Sequence, residues 1–272
     1  MTLIKDLMKA AEAARKSILE NMSAATELTG GTNPFGDETL VLDMTSEESV
    51  IDVLRESNTS IAFLTEEQGV ISQQKKPEYL VVIDGIDGSA NLERQIPLCS
   101  IGISAIPYSD NMITDDIEIS IVSSVFTEET YVAVTGKGVK KNGISVKVAE
   151  PVPIGESLIS YDTKKPWDND FSSSSVRVLS AVKDMRRSAS NLLDLCWVAS
   201  GSLDAMVDLR DELPIVHVSG THIVFEAGGF VVDCDGHRLN LPIEMDQKMS
   251  FVAASNEGTA RDILRIFKGN LL

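Results

Sequence analysis

Apolar residues return at three- and four-residue steps through Leu3, Leu7, Ala11, Ala14, Ile18 and Met22, which predicts an amphipathic helix over 3–23. The breaker-rich stretch 29–36 (Thr-Gly-Gly-Thr-Asn-Pro-Phe-Gly) then predicts a loop. A second helix is expected over 45–56, opened by Thr45 with Glu48 at capping-box spacing. The short apolar runs 60–64 and 79–83 predict buried strands. Between 100 and 148 the period changes to alternation, predicting strands at 101–106, 117–126, 130–134 and 144–148. The Gly- and Lys-rich link 135–143 predicts a hairpin connection, since no Gly-Lys-Ser/Thr ending opens a helix after it. Beyond 150 a strand at 157–161 and a polar loop containing Ser172–Ser175 are followed by a helix at 190–201. A strand at 203–209, a helix at 217–227, strands at 230–233 and 251–254 and a helix at 256–268 complete the pattern. Helices and strands interleave around a central meander, so the pattern predicts a layered α/β or α+β fold without internal repeats.

Composition narrows this picture. At 272 residues the chain is longer than the usual single domain, so one large domain or two intimately joined halves are expected. An apolar content of 43% suffices for a sizeable core. The balance of 24 Lys+Arg against 41 Asp+Glu gives −17, which disfavours nucleic acid and anionic membrane as partners. No signal peptide or membrane-spanning run is visible, and a cytoplasmic protein is expected. Cys99, Cys196 and Cys234 are an odd, widely spaced set in apolar contexts, which predicts reduced core thiols. Trp167 and Trp197 read as a loop and a core residue.

The segment Tyr79-Leu-Val-Val-Ile-Asp84-Gly-Ile-Asp87-Gly88-Ser89-Ala-Asn91 carries the chemistry. A buried strand runs into two aspartates that would repel one another unless a cation lay between them, and a hard divalent ion is the natural counter-charge. Gly88 and Ser89, opening a helix, would offer N–H groups to an anion beside that ion. A plain acidic surface turn is the alternative. Glu66-Glu67 follows another apolar strand, and Asp43 precedes the second helix, where it would also serve as a cap.

These residues resemble the signature of the inositol monophosphatase superfamily. The resemblance extends through Pro97, Ser100-Ile-Gly102, Gly136-Lys-Gly138, Asn142-Gly143, Leu203-Asp204-Ala205 and Glu226-Ala-Gly-Gly229. It is nearest the archaeal-type branch acting on inositol monophosphate and fructose 1,6-bisphosphate, through Gly36-Asp37-Glu38-Thr39 with Asp43, Arg94 before Ile96-Pro97, and Val207-Asp208-Leu209-Arg210. The resemblance implies an α+β fold, a layered αβαβα sandwich forming a single phosphatase unit with a metal-site half (1–150) and a substrate half (151–272). It implies a homodimer with Arg94 at the interface, and two or three Mg²⁺ ions. Glu66, Asp84 and the Ile86 carbonyl would hold the first Mg²⁺, and Asp84 with Asp87 the second. Asp43 and Ser89 would act on the attacking water, Gly88 and Ser89 N–H groups would grip phosphate, and Asp208 would contact substrate hydroxyls.

One position departs from the family pattern. The family's further aspartate ligand lies ten residues before Glu226, where this chain has Val216, so the second site is expected to weaken. His217 is adjacent, but imidazole suits softer metals than Mg²⁺; Asp211 would reach only if its loop were rearranged. His217 and His222 lie five apart, roughly 140° around a helix and a poor chelating pair, so structural roles are expected for them. The sequence therefore points to a Mg²⁺-dependent phosphatase of small phosphate esters. A metal-site-degraded binding or regulatory protein, and a phosphatase for a nucleotide 3′-phosphate, are the alternatives.

Overall fold

The computed structural model describes residues 3–36, 38–72, 76–163 and 168–269; Asp37 and Trp167 lie outside them. The N-terminal periodicity forms helix α1 (Leu3–Glu20), which buries Leu7, Ala11, Ala14 and Ile18, and a 3₁₀ turn at Met22–Ala24 follows it. The other helices are α2 (Val41–Arg55), α3 (Ser89–Glu93), α4 (Asn169–Ala181), α5 (Asn191–Ala199), α6 (Val218–Glu226) and α7 (Glu257–Phe267). α2 starts four residues earlier than the capping-box reading of Thr45. The Thr45 hydroxyl instead donates back to the Val41 carbonyl at 2.7 Å, inside the helix.

The strands of the described residues fall into three sheets. β1 (Leu28–Thr32) and β2 (Glu38–Leu40) form a hairpin, so part of the expected 29–36 loop is extended and paired. The large sheet contains β3 (Ile61–Thr65), β4 (Gly69–Ile71), β5 (Tyr79–Asp87), β6 (Ser100–Pro107), β7 (Ile119–Ser124), β8 (Thr130–Val134), β9 (Gly138–Lys141) and β10 (Ile144–Val146). Its spatial order is β10-β9-β8-β7-β6-β5-β3-β4, antiparallel except for the β3–β5 pair. The link 135–143 thus contains a strand, β9, between two tight turns. The second sheet holds β11 (Leu158–Tyr161), β12 (Asp184–Met185), β13 (Ala205–Pro214), β14 (Phe230–Val232) and β15 (Lys248–Ala254), ordered β12-β11-β13-β15-β14.

Alternation along these strands sorts side chains into separate cores. Val81 and Ile83 of β5 join Leu7, Ile18, Val50 and Leu54 on the α1/α2 face, whereas Leu80 and Val82 face the core shared with α5 and α6. Met206, Phe251 and Ala253 of the second sheet close that central core, while Val207, Val252 and Ala254 turn outward to meet α4 and α7. The order helix, sheet, helix, sheet, helix is the expected five-layer sandwich. Two buried faces per strand explain why 79–83 reads as a continuous apolar run rather than an alternation.

The polar stretch with Ser172–Ser175 is helical rather than a loop. Asp168 caps α4 by accepting from the Phe171 N–H at 2.8 Å, and Phe171 packs edge-on to Phe267 of α7. Cys99 and Cys196 are buried, but Cys234 is exposed, so only two of the three thiols belong to the core. Trp197 packs against the central core. No helix among the described residues is long and apolar enough to cross a membrane.

Candidate active site

The site is built where β5 loses its register. Asp84 pairs with Gly102 but Asp87 pairs with Ser100, so three residues of β5 oppose two of β6. In a regular strand Asp84 and Asp87, an odd number of residues apart, would point to opposite faces; the bulge brings both to one side. Helix α2 packs directly over this bulge. A Cβ on Gly85 would lie 2.9 Å from Glu47 Cγ and 3.1 Å from the Asp43 carbonyl, so no larger residue fits there. Ser46 secures the contact by donating to the Gly85 carbonyl at 2.7 Å.

Gly88 ends the bulge with φ +102°, and a Cβ there would meet the Leu98 carbonyl at 2.9 Å. That conformation turns the chain into α3 and places Ser89 beside α2. The Ser89 hydroxyl lies 3.1 Å from Asp43 Oδ1 and 3.1 Å from the Ile86 carbonyl. Asp43 occupies the first turn of α2 rather than a cap position. Burial, and then the charge of Glu67, raise its pKa well above the ordinary aspartate value.

Glu66 follows β3 on a turn held by a buried carboxylate that sequence reasoning missed. Glu47 accepts from the Glu67 N–H at 2.8 Å, and burial raises its pKa to about 7. Thr39 donates to Glu67 at 2.5 Å, tying the β1–β2 hairpin to the same turn. The only sign of Glu47 in the sequence is its place four residues after Asp43, on the same helix face.

Asp87 is heavily supported. Its Oδ2 accepts from Ser190 Oγ at 2.6 Å, from the Leu192 N–H at 2.6 Å and from Ser100 Oγ at 3.4 Å, so the start of α5 is fastened to the bulge. Asp84 is the opposite case. It is fully buried and neither carboxylate oxygen has a hydrogen-bond partner. Burial first, opposed by His217 and reinforced by Glu66 and Asp87, raises its pKa well above the ordinary value. An orphaned buried carboxylate is costly, and it marks the position where a cation would complete the structure.

His217 supplies the fourth side of the cluster. Its Nε2 lies 3.3 Å from Asp84 Oδ2 and 3.5 Å from Asp87 Oδ1, and its Nδ1 lies 3.3 Å from the Pro214 carbonyl. Burial lowers its pKa, but Asp84 and then Asp87 more than offset this and raise it to about 10. Glu66, Asp84 and His217 each bring a ligand atom within 4.8 Å of the others, a spacing suited to one cation. The count from Glu226 that singled out Val216 is corrected here: a 3₁₀ turn at Ile215–His217 directs Val216 into the central core and its neighbour to the carboxylates. His222, by contrast, is structural, bonded to Ser120 at 2.8 Å and Thr135 at 2.9 Å, with its pKa lowered to about 4 by burial. Asp211 is exposed on the irregular part of β13.

Asp208 does not present its carboxylate. It is buried and bonded to Arg210 through both oxygens, at 2.8 and 2.5 Å. Arg210 also reaches Asp162 at 2.9 Å, and Arg187 bonds the other Asp162 oxygen. The group held toward solvent there is therefore Arg210, with Arg187 beside it on the loop leading to Ser190. Asn91 joins that loop to α3 by donating to the carbonyls of Ser188 and Leu98, both at 2.7 Å.

Residues 2–268 match the model of the inositol monophosphatase family. The chain is 30% identical over 228 residues to the fructose-1,6-bisphosphatase/inositol-1-monophosphatase of Methanocaldococcus jannaschii, covering 84% of each chain. It is 29% identical over 253 residues to the bifunctional NADP phosphatase/NAD kinase of Methanococcus maripaludis, covering 85% of this chain and 43% of that one. The fold is also that of the extragenic suppressor protein SuhB from Bartonella henselae, with a TM-score of 0.85 over all of both chains at 22% identity.

Proposed function

The chain belongs to the inositol monophosphatase family, and from that premise we propose that it is a divalent-metal-dependent phosphomonoesterase acting on inositol monophosphate, fructose 1,6-bisphosphate or both. The observation that carries the reading is the Asp84 carboxylate, buried without a hydrogen-bond partner among Glu66, Asp87 and His217. In this reading Glu66, Asp84 and the Ile86 carbonyl would hold one Mg²⁺ and Asp84 with Asp87 would hold a second; His217 lies against both of those carboxylates. A bound divalent ion supplies Lewis acidity, acidifying water and offsetting charge on the phosphoryl oxygens.

The protein groups do the rest. Ser89 would orient the attacking water and pass its proton toward Asp43, whose burial raises its proton affinity. The N–H groups of Gly88 and Ser89 receive phosphate oxygens, and in-line attack needs no covalent nucleophile. Asp208 acts on substrate through Arg210, which it holds in place. Residues 1–150 carry most of the metal ligands and 151–272 the substrate side chains, with His217 the exception. The reading includes a cytoplasmic homodimer, for which sedimentation velocity on the purified chain is the check.

Phosphate release from inositol 1-phosphate, fructose 1,6-bisphosphate and a nucleotide phosphate, with and without divalent metal, tests the proposal. Turnover that disappears with chelator is expected; no turnover on any substrate at any metal concentration would overturn it. The similarity to an NADP phosphatase favours nucleotide phosphates as the second substrate class. A binding protein without turnover is favoured by a different observation, the His217 imidazole that can itself carry positive charge between Asp84 and Asp87.

A further inference from the structure

We propose that His217 is a ligand of the bound ion, and that the site therefore takes a first-row transition-metal ion (Mn²⁺, Fe²⁺, Co²⁺ or Zn²⁺) more tightly than Mg²⁺. The inference rests on the reading that this cluster holds a divalent ion, and it adds the ion's chemical class. Three observations at His217 point the same way.

The first is spacing. Nitrogen and oxygen ligands roughly 2.0–2.1 Å from one small ion stand about 3.3–3.4 Å apart in a tetrahedral arrangement. His217 Nε2 lies 3.3 Å from Asp84 Oδ2 and 3.5 Å from Asp87 Oδ1, so the imidazole nitrogen stands at ligand-to-ligand spacing from each carboxylate oxygen. The second is the tautomer. Nδ1 lies 3.3 Å from the Pro214 carbonyl, which can only accept, so Nδ1 carries a hydrogen and Nε2 is the nitrogen turned to the carboxylates. A backbone carbonyl on the far nitrogen is the usual way a metal-binding imidazole is fixed.

The third is the absence of any donor to Asp84. One proton on Nε2 can serve a single carboxylate oxygen, whereas Asp84 has both oxygens buried and without hydrogen bonds, and Asp87 Oδ1 faces the same nitrogen. An ion satisfies all of them together. Imidazole in a donor set moves preference away from Mg²⁺, which favours all-oxygen shells with several waters, and toward borderline ions. The 3₁₀ turn that buries Val216 and turns out His217 thus replaces an all-carboxylate set with a mixed one.

The test uses the whole 272-residue chain, stripped with chelator and titrated calorimetrically with Co²⁺, Zn²⁺ and Mg²⁺ in the absence of substrate. The wild type is expected to prefer Co²⁺ and Zn²⁺ over Mg²⁺, and His217→Asp to narrow that preference roughly 10–100-fold. A change in the preference of less than about twofold on substitution would overturn the proposal. A measurement on the wild type guards against a variant that fails to fold. Substoichiometric Mn²⁺ should broaden the side-chain NMR signals of His217 while those of exposed His237 stay sharp; unbroadened His217 signals at saturating Mn²⁺ overturn it. If neither protein binds any ion, the divalent-metal reading falls too. If both bind with equal preference, only the role of His217 falls, and turnover bears on neither result.

Discussion

Two of the buried acidic clusters among the described residues are balanced in opposite ways. Beside β13, Asp208 and Asp162 are both buried, yet Arg210 and Arg187 occupy their oxygens. At the bulge of β5, Asp84 is equally buried, and its only close cationic neighbour among the described residues is an imidazole at 3.3 Å, with no hydrogen bond to either oxygen. Burial of charge is costly in both places, but only the first cluster is complete within the chain. The difference separates acid that stabilises a framework from acid held ready for a cation.

The largest effect should come from Asp84→Asn. Activity is expected to fall roughly 10³-fold, because the cation loses a ligand common to both expected sites. The metal-free protein should at the same time become more stable by about 1–3 kcal/mol near pH 8, since a buried carboxylate without hydrogen bonds has gone. Activity assays and urea unfolding in chelator would read the two opposite changes. Arg210→Met should do the reverse in the other cluster, lowering stability by about 3–5 kcal/mol because Asp208 is left buried and unpaired. Equal responses of the two variants in chelator would remove the distinction.

A pH series sharpens the comparison. Glu47 is raised from 4.5 to about 7 by burial, so the folded state holds its proton more tightly than the unfolded chain does. Its contribution to stability is complete below about pH 4.5 and is lost as pH rises through about 7. Metal-free wild type should therefore lose stability between pH 5 and 8, and Glu47→Gln should flatten that slope by up to ~3 kcal/mol. Unfolding midpoints across the range would show it. The smallest effect belongs to Thr39→Val, which removes one hydrogen bond to Glu67 and should cost about 1 kcal/mol by the same measurement.

Much of this was legible in the chain before any coordinates. The apolar run before Asp84 set the strand, the Asp-Gly-Ile-Asp-Gly-Ser sequence set the turn, and the apolar strand before Glu66 set the third carboxylate. What escaped depends on contacts distant in sequence. α4 forms through serines of weak helix propensity because Asp168 caps it and Phe171 and Val178 pack against the outer core. Glu47 looks like one more acid on a helix until the turn after β3 folds onto it. His217 was hidden by a count along the chain, which cannot see that a 3₁₀ turn sends Val216 inward and the next side chain to Asp84. Asp208 reads as a contact to substrate hydroxyls, and only the fold shows that Arg210, two residues on, bonds both of its oxygens.

The most direct test of a cation-holding cluster is the unfolding free energy of wild type and Asp84→Asn, each measured in chelator and in saturating divalent metal. An ion at about 100 times its dissociation constant should stabilise the wild type by ~2.7 kcal/mol and leave Asp84→Asn nearly unchanged. Equal stabilisation of both proteins, or none in the wild type, would contradict the assignment of Asp84 as the ligand that the fold leaves open.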